Sequence, residues 1–532
     1  MSTNWRKSAS ALIVAATTLA LTACGSGGAT SGESSGPVQG GTFTFALSYD
    51  SKSLDPQRNI SKGGPPVLRQ LVASLTDQNT ETGELSPWLA ERWTKNDTLT
   101  EFSFTLRPGV TFSDGTPLDA AAVKANFDTV GTLGPTHSLA AGYLEGYQET
   151  RVADPLNFTV VFDKPTAQFL QGTSTISLGI ISPASTQLSV DERKSKGVVG
   201  SGPFVLDSYS PDREIVLAKR DGYDWPSSEA THSGPAYLDR IVFPIVPESG
   251  VRVGLLTSGQ ADGIDDVPAQ DQPTFDGNGF YLASAIGAGL SYNLTPNESR
   301  PIMSDRNVRL ALQHAIDRSE IVESILQGVA EPATNALSST TPGWYDASTE
   351  FAYDPGLSEE LLDNAGWTEG PDGVRVKDGQ KLTLELPFFQ DETDRLTLIQ
   401  QQLLAVGIDV NLERVDSATL DQKVSENQYD LYYVNWTRGD PDILRFYLST
   451  DFENTNKVLN PDVQSLLDAQ ASEPDATKRL DLVHQAQSLI LSEGHLLPLW
   501  EIVQTKAYRD GVYDVRFDTG ARLSFYDTWV ES

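Results

Sequence analysis

The chain has 532 residues, with 39 Lys and Arg against 72 Asp and Glu, a formal net charge of -33 and one Cys. Its length gives room for about three structural units at roughly 100–200 residues each, and its 9 Trp and 17 Tyr exclude a wholly disordered chain. A chain this acidic repels phosphate backbones and anionic membrane surfaces, with no Lys/Arg run to form a basic patch, so no nucleic-acid partner is expected; the single Cys excludes a disulfide framework and a thiolate zinc cluster.

Arg6 and Lys7 open a short positive region, and Ala9 to Ala20 is apolar apart from small hydroxyl residues. That run is shorter than the ~20 residues a membrane-spanning helix needs, and it predicts a cleavable export signal over residues 1–23. Leu21-Thr22-Ala23-Cys24 resembles the bacterial lipobox, which implies lipid attachment at Cys24; an ordinary signal with an incidental Cys is the alternative. Residues 24–40, rich in Gly and Ser, have nothing to bury and read as a flexible tether. Gly32-Glu33-Ser34-Ser35-Gly36 matches the hydrolase elbow pattern, but such a linker cannot hold the strained turn that the pattern needs.

From Gly41 onward the pattern is α/β with mixed sheets. Thr42 to Leu47 alternates as a strand, and so does Phe102 to Leu106, stopped by Arg107-Pro108-Gly109. Asp119 caps a predicted helix with Val123, Phe127 and Val130 on one face; Asp354-Pro355 opens another, closed by Gly366. Between Leu382 and Leu412 the periods change from two to 3.6 and back, one βαβ unit. No internal repeat is evident.

Several segments occur in order: Ser53-Leu54-Asp55-Pro56, Pro87-Trp88-Leu89-Ala90-Glu91-Arg92-Trp93, Leu106-Arg107-Pro108-Gly109-Val110-Thr111-Phe112-Ser113-Asp114-Gly115-Thr116-Pro117, Gly200-Ser201-Gly202-Pro203-Phe204, Ala315-Ile316-Asp317-Arg318 and Leu497-Pro498-Leu499. Together, over about residues 41–530, they resemble solute-binding protein family 5 of ABC importers, the oligopeptide, dipeptide and nickel-chelate binders. The resemblance implies a type II periplasmic-binding-protein-like two-lobe clamp with an additional third domain. Domain I would combine residues 41–65, 196–276 and 501–532; domain II would be 66–195 and domain III 277–500. The chain would cross between lobes near Gly279–Ser284 and Leu496–Ile502. A monomeric binding subunit rather than an enzyme is expected, lipid-anchored outside the cell membrane and handing a small solute, first of all a short peptide, to permease subunits.

By the same resemblance, the strand at Tyr433 runs into Asn435-Trp436-Thr437-Arg438-Gly439-Asp440-Pro441 beside the ligand, with Trp436 as a wall or a core residue. Peptide binders place an Asp shortly after this Trp to meet an α-ammonium. Here the spacer is shortened: Asp440 takes that role, or Arg438 holds a carboxylate or phosphate through its planar fork, or Arg438 sits in a surface salt bridge. Tyr49, Asp50 and Ser51 after the first strand, Tyr292 and Asn293 at the start of the other lobe, and Trp500 at the second crossing complete the expected ligand-binding set. Asp262, Asp265 and Asp266 lack the spacing of a calcium loop and read as a solvated turn. His137, His232, His314, His484 and His495 are scattered, so no protein-built metal site and no cofactor are expected. Other solutes (an acidic small molecule, an oligosaccharide, a metal chelate), a sensing role and a secreted hydrolase are the competing readings; for the last, no H-E-x-x-H, Walker loop or credible Ser elbow is present.

Overall fold

The computed structural model describes residues 36–531 apart from 59–62, 133–138, 390–391, 451–456 and 458–459, so the export signal, Cys24 and His137 lie outside the described residues. The first strand, Thr42–Ala46, turns Phe43 and Phe45 into the core. There the two rings meet Tyr508 and Phe525, Phe45 at 5.8 Å from Tyr508 and Phe43 at 5.1 Å from Phe525. Burying each such ring stabilises the fold by about 1.5–3 kcal/mol.

That strand sits inside a seven-stranded mixed sheet. It pairs in parallel with Arg240–Pro244 on one side and with Gly263–Ile264 on the other. Phe204–Ser210 and Glu214–Lys219 continue one edge, and Val503–Arg509 continues the other. Phe280–Ile286, expected with residues 277–500, instead pairs with Val503–Arg509 along its whole length in this sheet. Asp262 and Asp265 are not solvated: Asp262 meets Arg509 at 2.6 Å, and Asp265 is buried against Lys506.

A four-stranded antiparallel sheet formed by Ala90–Lys95, Glu101–Leu106, Asn157–Phe162 and Tyr147–Val152 adds its core to that of the first sheet. The predicted helix Ala120–Gly131 lies here, its Asp119 side chain accepting from the Ala122 N–H, with Val123, Phe127 and Val130 buried. The βαβ unit also forms as expected: Thr383–Phe388 and Asp409–Arg414 pair in parallel around the helix Thr393–Ala405.

A separate three-stranded sheet has Gly289–Pro296 at its centre, antiparallel to both Leu431–Thr437 and Leu497–Trp500. The chain therefore passes from the first sheet to this one at Gly287–Ala288, a few residues beyond the expected position, and returns at Glu501–Ile502. Gly287 N–H donates to the Ile502 carbonyl at 2.9 Å, joining the two passages. Glu501 is held by Ser338 Oγ at 2.6 Å and the Ser339 N–H at 3.0 Å. Burial raises its carboxyl above the ordinary glutamate value although both donors oppose this.

Beyond Leu431–Thr437 the loop is fixed by charge. Arg479, from the helix Ala476–Ser492, donates to both oxygens of Asp440 at 2.6 and 3.0 Å. Arg445 bridges Asp442 and Glu145, tying this loop to the segment around residue 145. Burial alone would raise the Asp440 carboxyl, but the Arg479 pair outweighs it and holds the group below the usual range.

Two outcomes follow for stability. At Gly289, φ is +141° and a Cβ would lie 1.9 Å from the Trp436 carbonyl, so Gly289→Ala is expected to lower stability by about 1–3 kcal/mol in urea denaturation. Asp440→Asn leaves Arg479 buried without its counter-charge and is expected to cost about 3–5 kcal/mol. Since the Asp440 pKa is depressed, its contribution is present above the unfolded value of about 3.9 and is lost as pH falls through the folded value. The deficit of the variant, measured by denaturation at pH 7 and at pH 3, should therefore shrink at the lower pH.

Candidate functional site

The central strand Gly289–Pro296 runs opposite to both neighbours, so its start and the ends of both neighbours lie at one edge of the three-stranded sheet. Gly289 faces Thr437 there, and Arg438 N–H donates to the Ala288 carbonyl at 2.7 Å. The edge meets the C-terminal segment: Ala288 N–H donates to Thr519, and Arg522 Nη2 reaches the Thr437 carbonyl at 3.3 Å.

Arg438 turns from this edge into a niche formed with residues 66–195. Its side chain is almost fully enclosed, the residue being 2 % exposed. The guanidinium lies 4.0 Å from the ring centre of Tyr143 and 5.2 Å from that of Phe446, and Nη2 donates to Gln168 Oε1. A cation stacked over an aromatic face uses its plane and leaves its N–H edges available; among the described residues Nε and Nη1 have no acceptor in hydrogen-bonding geometry. The Tyr143 phenol is raised by burial despite the Arg438 cation beside it.

Gly439 follows because nothing larger fits: a Cβ would sit 2.7 Å from Gln171 Nε2 and 3.0 Å from Gln78 Oε1. These amides and Thr519 Oγ1 form a polar wall, Gln78 Oε1 accepting from both neighbours at 3.1–3.2 Å. Arg438, Arg522, Asp77 and Asp518 are the charged groups lining the niche. Asp77 is engaged by Arg516 at 3.0 Å, and one Asp518 oxygen accepts from the Gly520 and Arg522 backbone. Gln78, Gly439, Asp518 and Thr519 also line a larger cleft of about 880 Å³. The tip of the Thr76–Pro87 hairpin, Ile286 and Ala288 at the first passage, Ser339 to Pro342 and Asp514 to Thr519 enclose it. A space of this size suits a small organic ligand.

The structure does not bring all the expected residues together. Tyr433, Asn435 and Thr437 share one face of their strand, whereas Trp436 points to the other because side chains alternate. Tyr433 stacks on Tyr292 at 5.4 Å, and both rings contact Trp500, which is buried in the core. Burial, reinforced by Glu392, pushes the Tyr433 phenol well above its ordinary value. Asn293 is buried and donates to the Ser291 carbonyl. Trp436 meets Phe446 edge-on at 5.8 Å in a different core, so its ring is engaged in packing.

After the first strand, Tyr49 is exposed, while Asp50 is buried and accepts from the Tyr209 hydroxyl and the Asp212 N–H; Ser51 bonds to the Ser53 carbonyl. At Arg438 and Asp440 the structure differs from two of the expectations. Asp440 is an internal ion-pair partner rather than an open amine anchor, since Arg479 engages both oxygens. Arg438 is in no surface salt bridge, since it is buried against aromatic rings. Tyr143, Gln168, Gln78 and Arg522 carried no motif in the sequence; only their position in the fold brings them to Arg438. Among the described residues no group of His, Cys, Asp and Glu could hold a metal ion.

Comparison with known proteins identifies the family and the fold. Residues 84–457 match the family model described as bacterial extracellular solute-binding proteins, family 5 Middle. The glutathione-binding protein GsiB of Salmonella paratyphi A is 26 % identical over 429 residues, covering 77 % of this chain and 79 % of the relative. The dipeptide-binding protein of Escherichia coli K12 is 25 % identical over 473 residues, covering 84 % and 83 %. NikA of Brucella suis, solved in complex with Fe(III)-EDTA, superposes with a TM-score of 0.80 at 22 % identity, over 92 % of this chain and 100 % of that one. The fold is that of the type II periplasmic binding proteins, and the proteins it resembles are binders rather than enzymes. With 84–457 of 532 residues matched by one model and the fold shared over 92 % of the chain, the chain belongs to the bacterial extracellular solute-binding proteins of family 5.

Proposed function

We propose that this protein is the lipid-anchored substrate-binding subunit of an ABC importer, a monomer that captures a small solute, first of all a short peptide, and delivers it to the permease. The observation that carries the reading is the double passage between the two sheets beside a cleft lined from both sides. Two passages make a hinge, and a solute that touches both sides at once stabilises the closed form by its differential affinity for that form. A solute touching one side binds without shifting the balance, however tightly it is held. The permease then has a loaded shape to recognise, and no covalent step is required. The names of the relatives, a glutathione binder and a dipeptide binder, support a peptide-sized solute. Anchoring rests on Leu21-Thr22-Ala23-Cys24 and the Gly/Ser tract behind it, a spacer that lets the body reach the permease while the lipid stays in the membrane.

Two measurements test this reading. Incubated with mixed short peptides, the protein should retain intact peptide masses in native mass spectrometry; hydrolysed products without retained peptide would replace the binder with a hydrolase. Cys24→Ala should move the protein from the membrane fraction to the medium or soluble extract, and its retention in the membrane would remove the lipid anchor.

A further inference from the structure

In a chain of net -33, the charges lining the niche balance, two guanidinium groups against two carboxylates. The niche holds the buried cation of Arg438 and that of Arg522. Of the two carboxylates beside them, Asp77 is engaged by Arg516, and Asp518 already accepts two backbone N–H groups. The nearest carboxylate beyond Arg438 in the chain, Asp440, is engaged by Arg479. A buried guanidinium with N–H groups lacking acceptors is costly, and an anion placed beside it recovers that cost through charge-assisted hydrogen bonds. The gap is no larger than the space of one water, so a planar head of a few atoms enters it only as the walls part, and it adjoins the large cleft.

Resting on the solute-binding reading, we propose that the niche beside Arg438 receives the carboxylate of the bound solute, with Nε or Nη1 donating to it and Arg522 adding positive field. This end of the cleft therefore selects an acid terminus rather than an α-ammonium, and the body of the solute extends into the 880 Å³ space. A peptide would lie with its C-terminus at Arg438; a non-peptide acid would meet the same requirement.

The test uses the full-length protein and three libraries of di- to tetrapeptides of equal composition: free, N-acetylated, and C-amidated. The acetylated library lacks the ammonium and the amidated library lacks the carboxylate. Native mass spectrometry should show retention of the free and acetylated libraries, and at least about tenfold weaker retention of the amides, the loss expected when a buried donor stays unpaired. Arg438→Gln should bring the acetylated library down to the amide level. Arg522→Gln, at a less enclosed position, should weaken it in the same direction and serves if the first variant does not fold. Retention of amides with rejection of acetylated peptides would overturn the acid subsite and leave the binding reading intact. Retention of no library, together with no co-purified mass, would overturn both.

Discussion

The antiparallel placement of Gly289–Pro296 between two strands that run the other way is the constraint on which the rest depends. It puts the entry of one strand and the exits of two others at a single sheet edge. Both passages to the seven-stranded sheet must leave from that edge, and so must the loop that carries Arg438. Had the central strand been parallel to its neighbours, its start would have faced away and one passage would have had to travel the length of the sheet. The cleft and the niche are thus set by strand direction before any ligand chemistry is specified.

On this framework the polar residues divide into those that fix the backbone and those left with capacity. Asp440, Asp442, Arg445 and Arg479 satisfy one another and hold the loop; their burial would be destabilising without those partners. Arg438, a few residues away, is enclosed by rings and by one amide oxygen, with no carboxylate partner. Two arginines of the same segment, Arg438 and Arg445, are chemically available in one case and structural in the other. What separates them is the partner across the fold.

Much of the fold was legible in the sequence, because local rules decide it. Asp119 and Asp354 cap helices where hydrophobic period and cap residue agree, and the βαβ unit shows as a change of period. The opposite facing of Tyr433 and Trp436 was also legible, since an odd spacing along a strand cannot put two side chains on one face. What was not legible is pairing at a distance: Gln168 lies 270 residues before Arg438, and Lys506 and Arg509 lie 241 and 247 residues after the aspartates they hold. No local pattern distinguishes a solvated acidic turn from one whose carboxylates await partners on a remote strand.

The hydrogen bond from Gly287 to Ile502 gives the double passage a mechanical character that neither strand has alone. Two unconnected linkers would let one sheet swivel and slide against the other with several degrees of freedom. Joined where they leave the first sheet, and with Glu501 fastened to Ser338 and Ser339, they would confine any bending to a short line through residues 287 and 502. Motion about one line has one coordinate, opening angle, so the distance between any two groups facing each other across the cleft is a function of that angle. Length selection among solutes is then a matter of leverage: a ligand seated far from the line sets the angle through a long arm, and small differences in its length become small differences in angle.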